Sequence, residues 1–92
     1  MMKEKGGMLV RRDENWAVAL DRIAAFFHEQ PDVQAEGDSF RYRSCVISIG
    51  AVAGQAMGKW ALPRTRLIFE GGEQDVKELH RRFFLRFLSA GG

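Results

Sequence analysis

The chain has 92 residues, 46% of them hydrophobic, with seven Phe, two Trp and a formal net charge of +2. That length and the lack of a Pro/Gly-rich break between two apolar blocks argue against two domains, and a domain this size buries only about 60–65% of its unfolded surface. A single cysteine, Cys45, excludes an internal disulfide and points to a reducing compartment.

The small net charge hides an uneven layout. Residues 1–12 carry +3, residues 13–38 carry −6, residues 39–69 carry +5 with no acidic residue, and residues 70–92 are balanced. Residues 1–12 are expected to be a flexible N-terminal segment ahead of one domain over 13–92. They reach only Met8–Val10 before Arg11 and Arg12, short of the roughly 7–15 apolar residues of a signal core. The longest weakly polar run, 45–57, is broken by Gly50 and Gly54 and falls short of the roughly 20 residues of a membrane span. The expectation is a soluble cytoplasmic protein that does not engage a membrane.

In chain order, Asp13 or Asn15 can cap a helix whose face is Trp16, Leu20, Ile23, Ala24 and Phe27. It should stop near Gln30, because the residue before Pro31 is pushed out of the helical region. Val33–Glu36 reads as a short strand, turned by Glu36-Gly37-Asp38 into a longer one over 39–49. Within that strand Phe40 and Tyr42 share one face while Cys45, Ile47 and Ile49 take the other, so a bulge or bend is expected near Ser44. Residues 50–63, punctuated by Gly50, Gly54 and Gly58, read as a loop or broken strand. Arg64–Glu70 alternates as a strand, with Thr65, Leu67 and Phe69 on one side, and Gly71-Gly72 closes it.

A second helix follows, acidic at Glu73 and Asp75 and basic at Arg81, Arg82 and Arg86, the polarity the helix dipole favours. Val76, Leu79, Phe83 and Phe87 form its main stripe, and Phe84 and Leu88 widen the apolar arc to about 180°, more than the roughly 100° a core-facing surface helix needs. The fold class is therefore a small two-layer α+β domain in the order α-β-β-(β)-α, an antiparallel sheet of three to four strands packed by two helices.

No residue pattern carries a recognisable reaction. GQAMGKW at 54–60 lacks the spacing and the Ser/Thr of a phosphate loop and reads better as a turn. Cys45 as a nucleophile would need a nearby base and an electropositive site, with Arg43 the nearest cation, whereas burial beside Val46 and Ile47 is the plainer reading. His28 and His80 have no Cys or His at metal-ligand spacing. The sequence predicts no catalytic residues, no cofactor and no metal, and an enzyme is the less favoured class.

Two binding readings remain. The basic region 39–69 combines Arg41, Arg43, Lys59, Arg64 and Arg66 with Phe40, Tyr42 and Trp60, and cations beside aromatic rings suit RNA or DNA. Phe40 and Tyr42 resemble the stacking pair of RNA-recognition sheets, without that family's glycine-containing signature. The helix–strands–helix order is similar to that of double-stranded-RNA-binding domains, with Glu73, Gln74 and Asp75 in place of their lysine-rich last-helix start. The leading reading is a non-enzymatic interaction module, a homodimer or a subunit of a complex, whose interface is drawn from Phe83, Phe84, Leu85, Phe87 and Leu88.

Overall fold

The computed structural model describes residues 8–52, 56–57, 60–61 and 63–90, with the side chains of 56–57, 60–61 and 89–90 excepted. Strand β1 spans Leu9–Trp16, helix α1 Leu20–Glu29, β2 Gln34–Glu36, β3 Ser39–Tyr42, β4 Cys45–Ala51, β5 Ala56–Met57, β6 Trp60–Ala61, β7 Thr65–Gly72 and helix α2 Glu73–Ala90. Five strands form one antiparallel sheet in the order β1-β7-β4-β3-β2, and β5 pairs with β6 as a separate two-stranded ribbon. The α+β class and the two helices match expectation. The sheet has five strands instead of three or four, because a strand precedes α1 and residues 39–49 form two strands instead of one.

That strand is the main correction. Residues 1–7 lie outside the described residues, but Leu9–Arg12 are not loose: they are the first half of β1 and pair with Phe69–Gly72. Trp16 ends β1 opposite Thr65 instead of opening a helix. Its four-residue spacing to Leu20 imitates a helical stripe, yet Val10, Glu14 and Trp16 alternate with exposed neighbours, the period of a strand. Helix α1 begins at Leu20 behind Ala19, which offers no side-chain cap, and stops at Gln30 as the following proline requires. Ile23, Phe26 and Phe27 are its buried face.

A second correction concerns residues 39–49. The chain does not bulge near Ser44; it reverses there, with Arg43 in the left-handed region at φ 55°. Reversal puts Phe40 opposite Ile47 and Tyr42 opposite Cys45. Directly opposed residues point to the same side of a sheet, so all four enter one core instead of dividing between two faces. The register continues through Ile47↔Phe69↔Arg12, which places Leu67 and Phe69 on the same face.

Both helices lie on that face. From α2, Val76, Leu79, Phe83 and Phe87 are all buried, the full main stripe read from the sequence. Also from α2, Arg82 grips Asp32 of the α1–β2 connection with two bonds of 2.9 and 3.0 Å, Arg86 grips Glu29 of α1 at 3.0 and 3.4 Å, and the Arg86 guanidinium lies 5.6 Å from the Phe26 ring centre. The buried Thr65 hydroxyl donates to the Val18 carbonyl at 2.6 Å, tying the β1–α1 connection to β7. Among the described residues, no helix covers the opposite face of the sheet, where Arg41, Ser48, Glu70, Arg11 and Asp13 stand exposed.

The β3–β4 turn is held against the start of α2. Asp75 accepts from the Ser44 amide at 3.1 Å and hydroxyl at 2.6 Å, and the Ser44 oxygen accepts from the Gly72 amide at 3.0 Å. Gly71 makes this approach feasible: its φ is 151°, and a Cβ there would sit 2.3 Å from the Ser44 carbonyl oxygen. Backbone must move to admit any side chain, so Gly71→Ala is expected to cost about 3 kcal/mol or more, within the range of strained glycine positions and broken networks. Gly37→Ala, which meets only open space at φ 61°, should cost about 1 kcal/mol. Urea melts of the two variants test this ordering, and equal losses would contradict it.

Candidate functional site

The basic and aromatic residues of region 39–69 do not converge. Phe40 and Tyr42 are 6% and 2% exposed, with Phe40 packed 5.3 Å from Phe27 and 5.1 Å from His28. The guanidinium groups of Arg43 and Arg82 lie over the Tyr42 ring, 5.2 and 5.0 Å from its centre, and its hydroxyl donates to Glu78 at 2.8 Å. Neither ring presents a face to a base. Arg41 is paired with Glu36 at 3.0 Å, Arg43 lies 3.7 Å from Glu78 and 4.0 Å from Asp75, and Arg66 donates to Asp13 at 2.9 Å. Arg64 is exposed. Lys59 lies outside the described residues; Trp60 has a described backbone, opposite Met57 in the ribbon, but not a described side chain.

The acids that balance these arginines come from distant parts of the chain, notably Asp13, Asp75 and Glu78. Three of the five cations of a stretch that is purely basic in sequence thus face carboxylates, across strands and from α2. Hollows of about 690 and 610 Å³ open on the uncovered sheet face; the first holds the Asp13–Arg66 pair and Ser48, the second Arg11, Ser44 and Glu70. Their charged groups are already engaged with one another, Arg66 with Asp13 and Arg11 with Glu70 at 3.2 Å, and Ser44 binds Asp75.

Cys45 is fully buried, and burial first, then the charge of Asp75, pushes its thiol up to about 11, against a smaller pull from a backbone hydrogen bond of Glu70. At neutral pH the sulfur stays protonated and packs as a small apolar group, which the functional alternative of an activated thiolate would not do. Among the described residues, no group of three or more His, Cys, Asp or Glu side chains is placed to hold a metal ion, and no helix is long and apolar enough to cross a membrane.

The predicted interface set divides in two. Phe83 and Phe87, 0% and 4% exposed, belong to the core. Phe84, Leu85 and Leu88 are 38%, 55% and 53% exposed on the last turns of α2. The helix therefore satisfies the sheet with one stripe and carries a second apolar stripe outward. Phe84 packs edge-on to Trp16, centres 5.8 Å apart, so the outward stripe joins β1.

Around that junction lies a polar cluster the sequence did not reveal. Glu14 accepts from the Trp16 indole at 2.9 Å and from Arg12 at 3.2 Å, and lies 3.0 Å from His80 Nε2. Burial raises the Glu14 pKa, but the bonds from Trp16, His80 and Arg12 outweigh it, and the carboxyl is held below its ordinary range. The only signal in the sequence was the period-2 spacing of Arg12, Glu14 and Trp16, which the helical stripe beginning at Trp16 masked. Strand β1 is also an edge of the sheet, and among the described residues nothing pairs with its outer side.

Two measurements check this chemistry. Alkylation of Cys45 by iodoacetamide at pH 8 is expected to proceed only at the rate of unfolding and to accelerate in urea along the unfolding curve; rapid labelling of the folded protein would contradict the buried thiol. The second concerns acid. Arg66 lowers the pKa of Asp13, Arg86 that of Glu29, Arg82 that of Asp32 and the Tyr42 hydroxyl that of Glu78. A carboxyl depressed by folding stabilises the native state above its unfolded pKa and stops doing so as pH falls through its folded value. Thermal melts should therefore be level between about pH 8 and 5 and fall steadily below about pH 4, and a midpoint rising on acidification would refute these pairings. Comparison with known proteins gives no matching family model, no matching curated protein and no matching solved structure.

Proposed function

We propose that the chain is a non-enzymatic association module that binds a second protein surface, a copy of itself, through the quadrant where the apolar end of α2 meets the open edge of β1. The observation that carries this reading is the outward stripe of Phe84 and Leu88, two large side chains a helical turn apart, 38% and 53% exposed beside Trp16. Contiguous apolar surface of this kind marks association sites more often than isolated exposed residues do. The rest of the surface supports the reading by contrast. Its arginines and carboxylates are largely spent on one another, and its one thiol is buried and protonated.

The nucleic-acid reading of region 39–69 has less support. It relied on Phe40 and Tyr42 stacking, and both rings are enclosed. It relied also on the cations Arg41, Arg43 and Arg66, each of which faces a carboxylate.

Light scattering after gel filtration tests the association reading. The wild-type chain should show a mass near twice its 10.4 kDa at high micromolar concentration. The double variant Phe84→Ser/Leu88→Ser should return to the single-chain mass with its circular dichroism unchanged, and its thermal midpoint, unlike the wild type's, should not depend on protein concentration. A wild-type protein that stays monomeric throughout the concentration range overturns the proposal.

A further inference from the structure

Resting on that association reading, we propose that the second copy docks antiparallel along the outer edge of β1, with a two-fold axis through Asp13, so that the two five-stranded sheets become one of ten strands. Three features of β1 lead there.

The first is the direction of its backbone. The Met8 carbonyl accepts from the Glu73 amide at 2.9 Å, on the side toward β7 and α2. Carbonyl and amide of one residue share a side of an antiparallel strand and alternate along it. Even-numbered residues of β1 thus serve the β7 ladder, and Leu9, Arg11, Asp13 and Asn15 direct their N–H and C=O groups to the open edge. Eight residues with half their backbone groups unclaimed form a docking edge. The opposite edge, β2, has only three residues.

The second is charge. A two-fold axis normal to the sheet makes residue i face a residue of the same parity. With the axis at Asp13, Arg12 faces the partner's Glu14, Arg11 faces the partner's Asn15 and Val10 faces the partner's Trp16, each pair occurring twice. Opposite charges and apolar pairs directly across strands stabilise a ladder. The two Asp13 carboxylates meet at the axis, but each is already matched by Arg66 at 2.9 Å and Arg11 at 3.9 Å. Arg11 also becomes the diagonal neighbour of the partner's Asp13. Of the four charges in the run 11–14, Arg12 and Glu14 are thus matched directly across the axis and Arg11 diagonally.

The third is apolar cover. Trp16 is only partly buried, and Phe84 leans on it from α2. In this register the partner's Val10 lies across from Trp16, and Met8, 63% exposed, lies two residues further along the same face. The outward stripe of α2 and the first residues of the partner's β1 then share one apolar contact at each end of the interface.

The test uses the full chain and three variants. Asp13→Cys places a thiol opposite itself at about 5.5 Å between Cα atoms, within disulfide reach. Under mild oxidation it should form a linked dimer roughly tenfold faster than Glu36→Cys on the β2 edge, since only the former thiols are held together. Arg11→Pro removes one outward N–H per copy and leaves the β7 ladder intact, so the dimer should weaken roughly tenfold or more while circular dichroism stays unchanged. If the dimer survives Arg11→Pro, and Asp13→Cys links no faster than Glu36→Cys, the shared-sheet geometry is overturned while association through Phe84 and Leu88 stands. A strictly monomeric wild-type chain overturns both.

Discussion

Everything in this fold depends on the burial of Phe83. Its ring lies 4.8 Å from Trp16 of β1, 5.9 Å from Phe69 of β7, 6.1 Å from both Phe26 and Phe27 of α1, and 5.1 Å from Phe87 on its own helix. One side chain thus joins the edge strand, the strand beside it and both helices. Edge-to-face and stacked contacts add about 0.5–1.5 kcal/mol each beyond area burial, so a small domain can obtain from one aromatic cluster the cohesion its limited core volume would otherwise lack. The position of α2 over the sheet follows from that cluster, and so do the places where its remaining surface faces.

Fixing Phe83 downward has a geometric consequence. Successive residues on a helix are about 100° apart, so Phe84 must lie to one side and Leu88 beyond it. The side is toward β1, because Trp16 touches both Phe83 and Phe84. On the other side, Arg82 and Arg86 turn to Asp32 and Glu29 and seal the seam with α1. One flank of α2 is closed by ion pairs and the other is left apolar beside an open strand. That asymmetry, more than the apolar content of the helix, is what singles out one quadrant of the surface.

How much of this was legible in the sequence depended on whether the governing contacts are local. The α2 stripe was readable because Val76, Leu79, Phe83 and Phe87 repeat at helical spacing and the dipole-matched charges agree with it. Strand β7 was readable because Thr65, Leu67 and Phe69 alternate with Arg66 and Ile68. Strand β1 was not, because an edge strand rich in Arg, Asp and Glu shows little apolar alternation, and Trp16 fell four residues before Leu20. The reversal at Arg43-Ser44 was hidden for a similar reason. It uses an arginine at φ 55°, without the Asn-Gly or Asp-Gly pair that ordinarily signals a two-residue hairpin, and it is stabilised by Asp75, some thirty residues away in the chain. The outward-facing residues of α2 were partly legible: the width of the arc flagged the helix, but only the seat of Phe83 separates Phe84 and Leu88 from the core.

The basic region shows the same limit from the electrostatic side. Charge summed along a chain predicts surface potential only if partners are close in sequence, and in an antiparallel sheet they are not. Arg66 meets Asp13 from a strand fifty-three residues earlier, and Arg43 meets Asp75 and Glu78 from the following helix. Two pairs, Arg66–Asp13 and Arg41–Glu36, join the acidic and basic segments directly, while Arg43, Asp32 and Glu29 find their partners in α2. Each such pair weakens the field of its arginine beyond a Debye length, and other parts of the surface differ from one another in their apolar content and their unpaired backbone edge. Both lie along β1 and the end of α2.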